Sequence, residues 1–291
     1  VILVVTVILS VPGLIAYKYF KPKSIYDYLA AGRTLGLAAV ALSIGATQWS
    51  ALSFMGFIAF YYIHGIPGWA AMGLGYVLIS VFLYGLLGRR ANEIGSKYNI
   101  ATPSQFVKLF FKDKITALIV ALLFTICLLP YMQVQIGGVA YILEVASAGK
   151  IPFYWGALLC YILMAIYVWL GGLKAIAWAN IAQGAFFLGL AAAIGAYMLS
   201  LAGGASGLAT LAQIKPVYFV IPGVAGVMSA AYMLSWAIPV QLGWPYQPQI
   251  FIQFAAAKRK ELVYLLPVGV VVAATGLYFL QQMVTPMAGW L

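Results

Sequence analysis

Charged residues are scarce in this sequence. Asp, Glu, Lys and Arg together make up 7% of the 291 residues, whereas hydrophobic residues make up 65%. A chain with so few charges could not cover a water-exposed surface, which excludes a water-soluble globular protein. The sequence also has only one histidine and two cysteines. No Ser/His/Asp, Cys/His or metal-binding cluster can be assembled from these groups, so the sequence predicts that the protein is not an enzyme.

Long hydrophobic runs, by contrast, recur along the whole chain. Each has about 20 residues, which as a helix is enough to cross about 30 Å of hydrocarbon. Backbone amides in lipid need internal partners, so the runs predict an all-α integral membrane protein. The first run follows neither a methionine nor a charged segment, and neither end of the sequence reads as a natural terminus. The eight predicted spans are residues 2–17, 37–63, 68–88, 115–145, 152–171, 175–203, 217–241 and 262–285.

The basic residues between these spans follow an alternating pattern. Alternate loops hold 14 and 2 of the Lys and Arg residues that lie between successive spans. By the positive-inside rule the 14 face the cytoplasm, which places the first residue outside and the protein in the cell membrane. The net charge of +11 is therefore interpreted as a topology signal and an attraction to anionic lipid. The lipid bilayer is a predicted partner, and nucleic acid is not.

The cytoplasmic loop after the third span contains a helix signal of its own. Thr102 can cap a helix, Pro103 suits the first helical position, and Gln105 can complete a capping box. Phe106 and Phe110 follow at helical spacing. The pattern predicts a short amphipathic helix at the membrane surface, although an ordinary solvated loop helix fits it equally well.

Polar residues inside the spans are mostly amides, for which hydrogen bonding between helices is the first interpretation. The second span also has Gly, Ser and Thr within residues 41–50. Such a stretch forms helix poorly, and its unwinding would free carbonyls to line a cavity or hold a cation. The seventh span is similarly interrupted around Pro239, Gly243 and Pro245. Two interrupted spans at a separation of five predict an inverted repeat, as in many transporters.

Three segments resemble motifs of the sodium:solute symporters, the family of the proline, pantothenate and sodium/glucose symporters. Residues 27–36, DYLAAGRTLG, resemble that family's D-Y-x-x-A-G-R-x-x-G segment before the second helix. Residues 171–183, GGLKAIAWANIAQ, are similar to its G-G-x-x-A-V…T-D-x-x-Q signature between the fifth and sixth helices. Residues 247–258, QPQIFIQFAAAK, are similar to its Q-P-x-I…R-F-x-A-A motif after the seventh helix. The order and orientation of all three match, and the resemblance extends over essentially the whole chain.

The resemblance implies one transmembrane domain with a five-plus-five inverted-repeat fold and an extra N-terminal helix. Residues 1–36 would hold that first helix and the loop that follows it, and residues 37–203 the first repeat. Residues 217–291 would begin the second repeat, so the fold is expected to be truncated after about eight transmembrane helices. The implied function is sodium-coupled symport of a small solute by alternating access, with sodium as the coupling ion.

The family's sodium ion lies between carbonyls of the broken second helix and hydroxyls of the ninth. By position those carbonyls would be Ala41 and Ile44, which form only half of the site. Gln48 matches a position that contacts substrate in sugar-transporting members. The candidate solute-binding residues implied by the resemblance are Gln48, Gln135, Gln241 and Trp244.

The sequence departs from the family pattern at three positions. Asn180 stands where aspartate is usual, Gln253 where arginine is usual, and Gln48 where some members have aspartate. A neutral amide attracts a cation far less than a carboxylate does, so a proton-coupled or uncoupled transporter stays open. A non-transporting membrane sensor or structural subunit is the alternative from another class. The apolar cavity with amides and aromatics favours a neutral or zwitterionic solute, and sugars, amino acids and small carboxylates are all compatible with it.

Overall fold

The computed structural model describes residues 11–12, 15, 18, 22–76, 79, 81–261, 263, 265 and 276–290. Within those residues the regular structure is helical, as the composition predicts, and the family-type repeat stays a prediction. The predicted span 2–17 lies almost wholly outside the described residues, and so does the first half of span 262–285. The helices are α1 Ile25–Ala30, α2 Leu37–Gln48, α3 Phe57–His64, α4 Ile66–Gly75, α5 Val81–Tyr98, α6 Pro103–Phe111, α7 Lys114–Ala146, α8 Phe153–Leu201, α9 Gly204–Ile214, α10 Ala230–Gly243, α11 Pro248–Ala256 and α12 Gly276–Trp290.

Two described segments are long and apolar enough to cross a bilayer as single helices. They are α7 and the part of α8 from Gly171–Leu201. A third candidate is the broken pair Leu37–Gln48 and Leu52–His64, whose two halves meet at 60°. The first part of α8, Phe153–Ile166, is a shorter apolar helix. The first three segments agree with the predicted spans 115–145, 175–203 and 37–63, whereas Phe153–Ile166 lies within the predicted span 152–171 but is shorter than a full span.

The break in the second span lies within the interrupted stretch 41–50 that the sequence predicts, at its C-terminal end. Residues 41–48 are helical, and the helix ends only where Trp49 adopts an extended conformation. The polar residues do not unwind this stretch because their hydroxyls bond within it: Thr47 Oγ1 donates to the Ser43 carbonyl oxygen at 2.7 Å. The chain resumes through a π-helical turn, Leu52–Gly56, that leads into α3. The second span is therefore broken within residues 41–50, at Trp49 rather than at Ala41 and Ile44, and the role of those two carbonyls as sodium ligands stays a prediction.

The seventh span differs from its predicted bounds of 217–241. Residues 216–229 form short 3-10 turns and bends, and α10 begins only after Ser229, whose hydroxyl caps it. The apolar composition of this stretch was misleading because Pro222, Gly223 and Gly226 interrupt it, the glycines at positive φ. The predicted interruption after α10 is present, as a 3-10 turn Trp244–Tyr246 before α11. The described structure also contains α9, which the sequence pattern did not predict.

The sharp bend in α8 falls in the second motif. Gly172 has φ 54° and ψ −153°, a conformation that only glycine adopts readily. A Cβ atom at Gly172 would lie 2.5 Å from the carbonyl oxygen of Tyr28, so α1 packs directly against the bend. The Tyr28 hydroxyl then donates to the Val168 carbonyl oxygen at 2.8 Å. Glycine is therefore needed at this position for two reasons: it can adopt the conformation of the bend, and it leaves room for α1.

The predicted surface helix is α6. Its cap is a complete capping box, in which Thr102 and Gln105 each bond the other's backbone. Phe106 is buried, while Phe110 and Phe111 are exposed. Asp113 then caps α7 by accepting from Thr116, and these hydrogen bonds lower the pKa of its carboxyl group. Local sequence was sufficient to predict this segment because both caps form within a few residues.

The main hydrophobic core joins α2, α5 and α11. Ile44 of α2, Tyr84 of α5, and Ile250 and Phe254 of α11 are all fully buried in it. A parallel bridge between Leu35 and Ala257 closes one end. This core places the C-terminal end of α2 beside α11, the helix that follows the interruption after α10.

Candidate functional site

Gln48, the last residue of α2, is held by two tyrosines. Its amide nitrogen donates to the Tyr84 hydroxyl, and its amide oxygen accepts from the Tyr76 hydroxyl. Tyr84 is fully buried and Tyr76 nearly so. The amide therefore joins α2 to α5 and to the residue that follows α4, and both tyrosine hydroxyls gain the partner that burial requires. This contact matches the interpretation of an intramembrane amide as a hydrogen bond between helices.

Trp244 contacts Tyr76, and Gln241 contacts α4 one turn earlier in the chain. The Trp244 ring meets the Tyr76 ring edge to face, with centroids 5.1 Å apart. Gln241 is fully buried, and its amide nitrogen donates to the Met72 carbonyl oxygen at 3.2 Å. Three of the four predicted solute residues are thus brought near one another: Gln48 and Trp244 both contact Tyr76, and Gln241 bonds Met72 of the preceding helix α4.

Gln135, the fourth predicted solute residue, reaches the break itself. Its amide oxygen accepts from the backbone nitrogen of Ala51 at 2.9 Å, where helical structure restarts. Its amide nitrogen is buried and has no hydrogen-bond partner among the described residues. A buried donor without a partner is costly, and such groups are typical of sites that bind a ligand or water.

The far side of the break is also lined by polar groups. The Ser53 hydroxyl donates to the Gln48 carbonyl oxygen at 2.9 Å, which satisfies a carbonyl that the broken helix leaves free. The fully buried Gln282 of α12 donates its amide nitrogen to the Ser53 carbonyl oxygen at 2.6 Å. The break is therefore contacted by α7 on one side and by α12 on the other.

A second polar cluster is centred on Thr47, the residue immediately before Gln48. Its hydroxyl oxygen accepts from the amide nitrogen of Asn180 at 3.3 Å and from that of Gln253 at 2.7 Å. Asn180 also donates to the Ser43 hydroxyl at 3.0 Å. The three positions lie on α2, α8 and α11, so this cluster joins three helices.

Ala41 and Ile44 lie inside the continuous helix α2. Their carbonyls point along a regular helix, in which each accepts from the amide four residues later. A carbonyl oxygen has a second lone pair, so each could still offer one bond to a cation. Their role as half of a sodium site stays a prediction.

The three motifs meet at one junction on the predicted cytoplasmic side. Arg33 of the first motif donates to the Ala255 carbonyl oxygen of the third at 2.8 Å and to the Ile100 carbonyl oxygen at 3.1 Å. Asn92 of α5 donates to the carbonyl oxygens of Phe254 and Ala257 at 2.8 and 2.9 Å. Through the contact with Gly172 described above, the first motif also reaches the second. The sequence patterns of the motifs thus reflect one packing unit.

Arg33 is partly buried in this junction and lies over the ring of Tyr26, 4.9 Å from its centroid. Burial lowers the pKa of Arg33 and raises the pKa of Tyr26, and the attraction between the two groups opposes both shifts. The guanidinium stays charged at neutral pH, since its ordinary pKa is so high. Its N–H groups donate to backbone carbonyl oxygens near the C-terminal ends of α5 and α11.

Sequence reasoning missed Tyr76 and Tyr84 as members of the site. The available signal was the presence of hydroxyl groups within apolar spans, where a buried tyrosine needs a hydrogen-bond partner. The sequence pattern singled out amides, Ser and Thr of the second span and Trp244, but no tyrosine. Identifying the pair also requires the packing of α2 against α5, which the local sequence does not specify.

Comparison with known proteins places the chain among membrane transporters. The profile of the sodium:solute symporter family matches residues 28–286. A sodium/pantothenate symporter of Escherichia coli is 26% identical over 244 residues, which are 82% of this chain and 49% of that protein. The osmoregulated proline transporter OpuE of Bacillus subtilis is 27% identical over 249 residues, 83% of this chain and 49% of the transporter. The high-affinity proline transporter PutP of the same bacterium is 26% identical over 251 residues, 84% of this chain and 50% of the transporter.

The chain spans about half the length of these relatives. The family and the relatives are transporters and not enzymes, which confirms the prediction made from the missing catalytic groups. The resemblance drawn from the three motifs is confirmed as well.

Proposed function

Because this chain belongs to the sodium:solute symporter family, we propose that it works in sodium-coupled symport of a small solute by alternating access. The observation that supports this most is the polar cluster between the two interrupted helices. Gln48 at the first break and Trp244 at the second contact the same residue, Tyr76. Polar groups between discontinuous helices are where such transporters bind their substrates.

The solute class follows from the groups that line the break. Gln135 offers a buried amide N–H that has no partner among the described residues. Such a donor suits a carbonyl or carboxylate oxygen of the solute. The described residues that contact the break include no lysine or arginine, which disfavours a strongly charged solute. Pantothenate and proline both carry a carboxylate, so we propose them as the first solutes to test. Binding of a metabolite panel to the full-length protein would identify the solute, and no binding of any small solute would contradict the proposal.

We propose that Gln48 contacts the solute in addition to joining the helices. Gln48→Ala is then expected to weaken solute binding by about 3- to 10-fold, the size of one lost hydrogen bond. Its truncation also leaves the buried hydroxyls of Tyr76 and Tyr84 without that partner, so the melting temperature should fall too. Affinity and melting temperature are measured on the same purified sample.

The matched control for Gln48→Ala is Tyr84→Phe. This change removes a hydroxyl that bonds Gln48 but keeps the amide. It should lower the melting temperature, and because Tyr76 still holds the Gln48 amide, solute affinity should fall less than in Gln48→Ala. Equal affinity in both variants would show that Gln48 only holds the helices together.

We propose that the loop of residues 89–114 is cytoplasmic and that residues 146–152 are external. Lys97 and Lys150 are both exposed and lie in these two loops. With Cys127 and Cys160 replaced, Lys97→Cys should react with an impermeant maleimide only after the membrane is opened. Lys150→Cys should react in intact cells. The reverse pattern would overturn the topology read from the basic residues.

A further inference from the structure

Two exposed aromatic residues end the surface helix α6. Phe110 is 66% exposed and Phe111 71%, although both rings are large and apolar. Ile115, at the start of α7, is 70% exposed as well. Exposed apolar residues then recur at helical spacing along α7: Leu118, Ile119, Leu122, Ile126 and Leu129. Since α7 is long and apolar enough to cross a bilayer, this is the face that lipid contacts, and the two phenylalanines continue it.

Basic side chains flank the two phenylalanines. Lys108, Lys112 and Lys114 are all exposed, and none of them forms an ion pair with a described residue. The one acidic residue in this segment, Asp113, caps α7 by accepting from the backbone nitrogen of Thr116 at 2.7 Å. Ammonium groups beside apolar rings match the chemistry of an anionic phospholipid, whose headgroup is negative and whose acyl chains are apolar. A solvated loop helix does not account for the exposed rings.

A series of aromatic contacts leads from α6 into the protein. The ring of Phe106 meets that of Phe251 of α11 edge to face, with centroids 4.9 Å apart. Phe251 packs against Phe254 at 6.4 Å, and Phe254 packs against Tyr84 of α5 at 5.8 Å. The Tyr84 hydroxyl accepts from the Gln48 amide at the break. Phe106, Phe254 and Tyr84 are buried, so one ring of this series has little room to shift without its neighbours.

We propose that Phe110, Phe111 and the three lysines bind an anionic phospholipid, and that the bound lipid orders the break in the second span through this series of rings. A bound lipid holds α6 at the bilayer surface, and α6 in turn fixes Phe251 and α11. Coupling of this kind requires packed elements that connect the two sites, and the four rings are such elements. The link to solute binding at Gln48 rests on the proposed function, whereas the lipid site and its effect on the break do not.

The depth of Phe111 tests the position of the surface helix. In the full-length protein with Cys127 and Cys160 replaced, a spin label at Phe111→Cys should be reached more readily by oxygen, which dissolves in lipid, than by a water-soluble nickel complex. Lys97→Cys, at an exposed position of α5, is the matched control and should show the opposite order. A label at Phe111→Cys that behaves like the one at Lys97→Cys would indicate a solvated loop helix and overturn the lipid site.

Lipid selectivity tests the three lysines. Replacing all three by glutamine should weaken the binding of phosphatidylglycerol to the full-length protein by at least about fivefold, which is the effect of one lysine near an anionic surface. Binding of phosphatidylcholine should not change, and native mass spectrometry of the lipid-titrated protein measures both. The control removes the same charge elsewhere on the same predicted side, by Lys97→Gln, Lys258→Gln and Arg259→Gln, which are all exposed positions. Equal losses in the two variants would reduce the effect to net charge and overturn the site.

Hydrogen exchange at the break tests the coupling without any solute. In nanodiscs, the backbone amides of residues 48–56 should exchange at least about fivefold more slowly with phosphatidylglycerol present than with phosphatidylcholine alone. Phe251→Leu should abolish this difference and still bind the lipid, since it removes one ring of the series and leaves α6 unchanged. Phe153→Leu is the matched control, because Phe153 packs on Tyr141 at 4.7 Å, outside the series. Bound lipid with unchanged exchange, or equal behaviour of the two variants, would overturn the coupling.

Solute affinity in the same nanodiscs separates this inference from the proposed function. Affinity should rise by at least about fivefold when phosphatidylglycerol is present, because the lipid orders the helix end that carries Gln48. Slower exchange in a protein that binds no solute of a metabolite panel would uphold the lipid coupling and remove the transporter. A measurable affinity that is the same in both lipids would uphold the transporter and overturn the coupling to Gln48.

Discussion

Solute uptake by the full-length protein is expected to fall by about 5- to 150-fold when potassium replaces sodium at constant ionic strength. This range corresponds to a coupling free energy of about 1–3 kcal/mol between two sites. The physical reason is linkage: a solute and an ion that both favour one conformation raise each other's affinity. Uptake into proteoliposomes under an inward sodium gradient measures the effect directly.

Linkage also provides the control for this experiment. If sodium raises the affinity for the solute by a given factor, the solute must raise the affinity for sodium by the same factor. Titrating sodium with and without solute on purified protein measures that factor without any transport. Two different factors would indicate a nonspecific salt effect rather than a coupled site.

A proton gradient is the alternative driving force, and it is tested in the same vesicles. The three neutral positions, Gln48, Asn180 and Gln253, are the reason to test it. If uptake does not depend on sodium but follows an imposed pH difference, the protein is a transporter whose coupling ion is the proton rather than sodium. Uptake that follows neither gradient, together with specific solute binding, would favour the sensor interpretation.

Gly172→Ala is expected to remove most of the folded protein. Alanine at φ 54° and ψ −153° carries strain of about 1–3 kcal/mol. The new Cβ atom would also lie 2.5 Å from the Tyr28 carbonyl oxygen, a backbone atom, and such overpacking costs about 1–3 kcal/mol more. The combined cost is a large part of the total stability of a typical domain. The measurements are melting temperature and the yield of monodisperse protein.

Gly189→Ala is the matched control within the same helix. Gly189 lies in a regular part of α8, and a Cβ atom there would meet no atom within 4 Å. Alanine is the better helix former by about 1 kcal/mol, so this variant should be as stable as the parent or slightly more so. If Gly172→Ala and Gly189→Ala behave alike, the bend and its contact with α1 are not required for folding.

Some features of this protein were predictable because they depend on neighbouring residues. The capping box at Thr102 and Gln105 forms within four residues, so the sequence alone specified α6. The long apolar run of α7 identified a membrane helix because lipid leaves the backbone no other way to satisfy its amides. The family motifs were readable for a similar reason, since the close approach at Gly172 permits only glycine.

Other features were decided only by tertiary contacts. Within the predicted stretch 41–50 the break falls at Trp49, because Thr47 donates to the Ser43 carbonyl within the helix and also accepts bonds from Asn180 and Gln253. Residue types in the span could not show this, because the partners lie on distant helices. The sequence by itself determined a helical membrane protein of the symporter family. Packing decided where its helix breaks and which buried amides are coupled, because a polar group inside a membrane adopts the conformation in which it finds a partner.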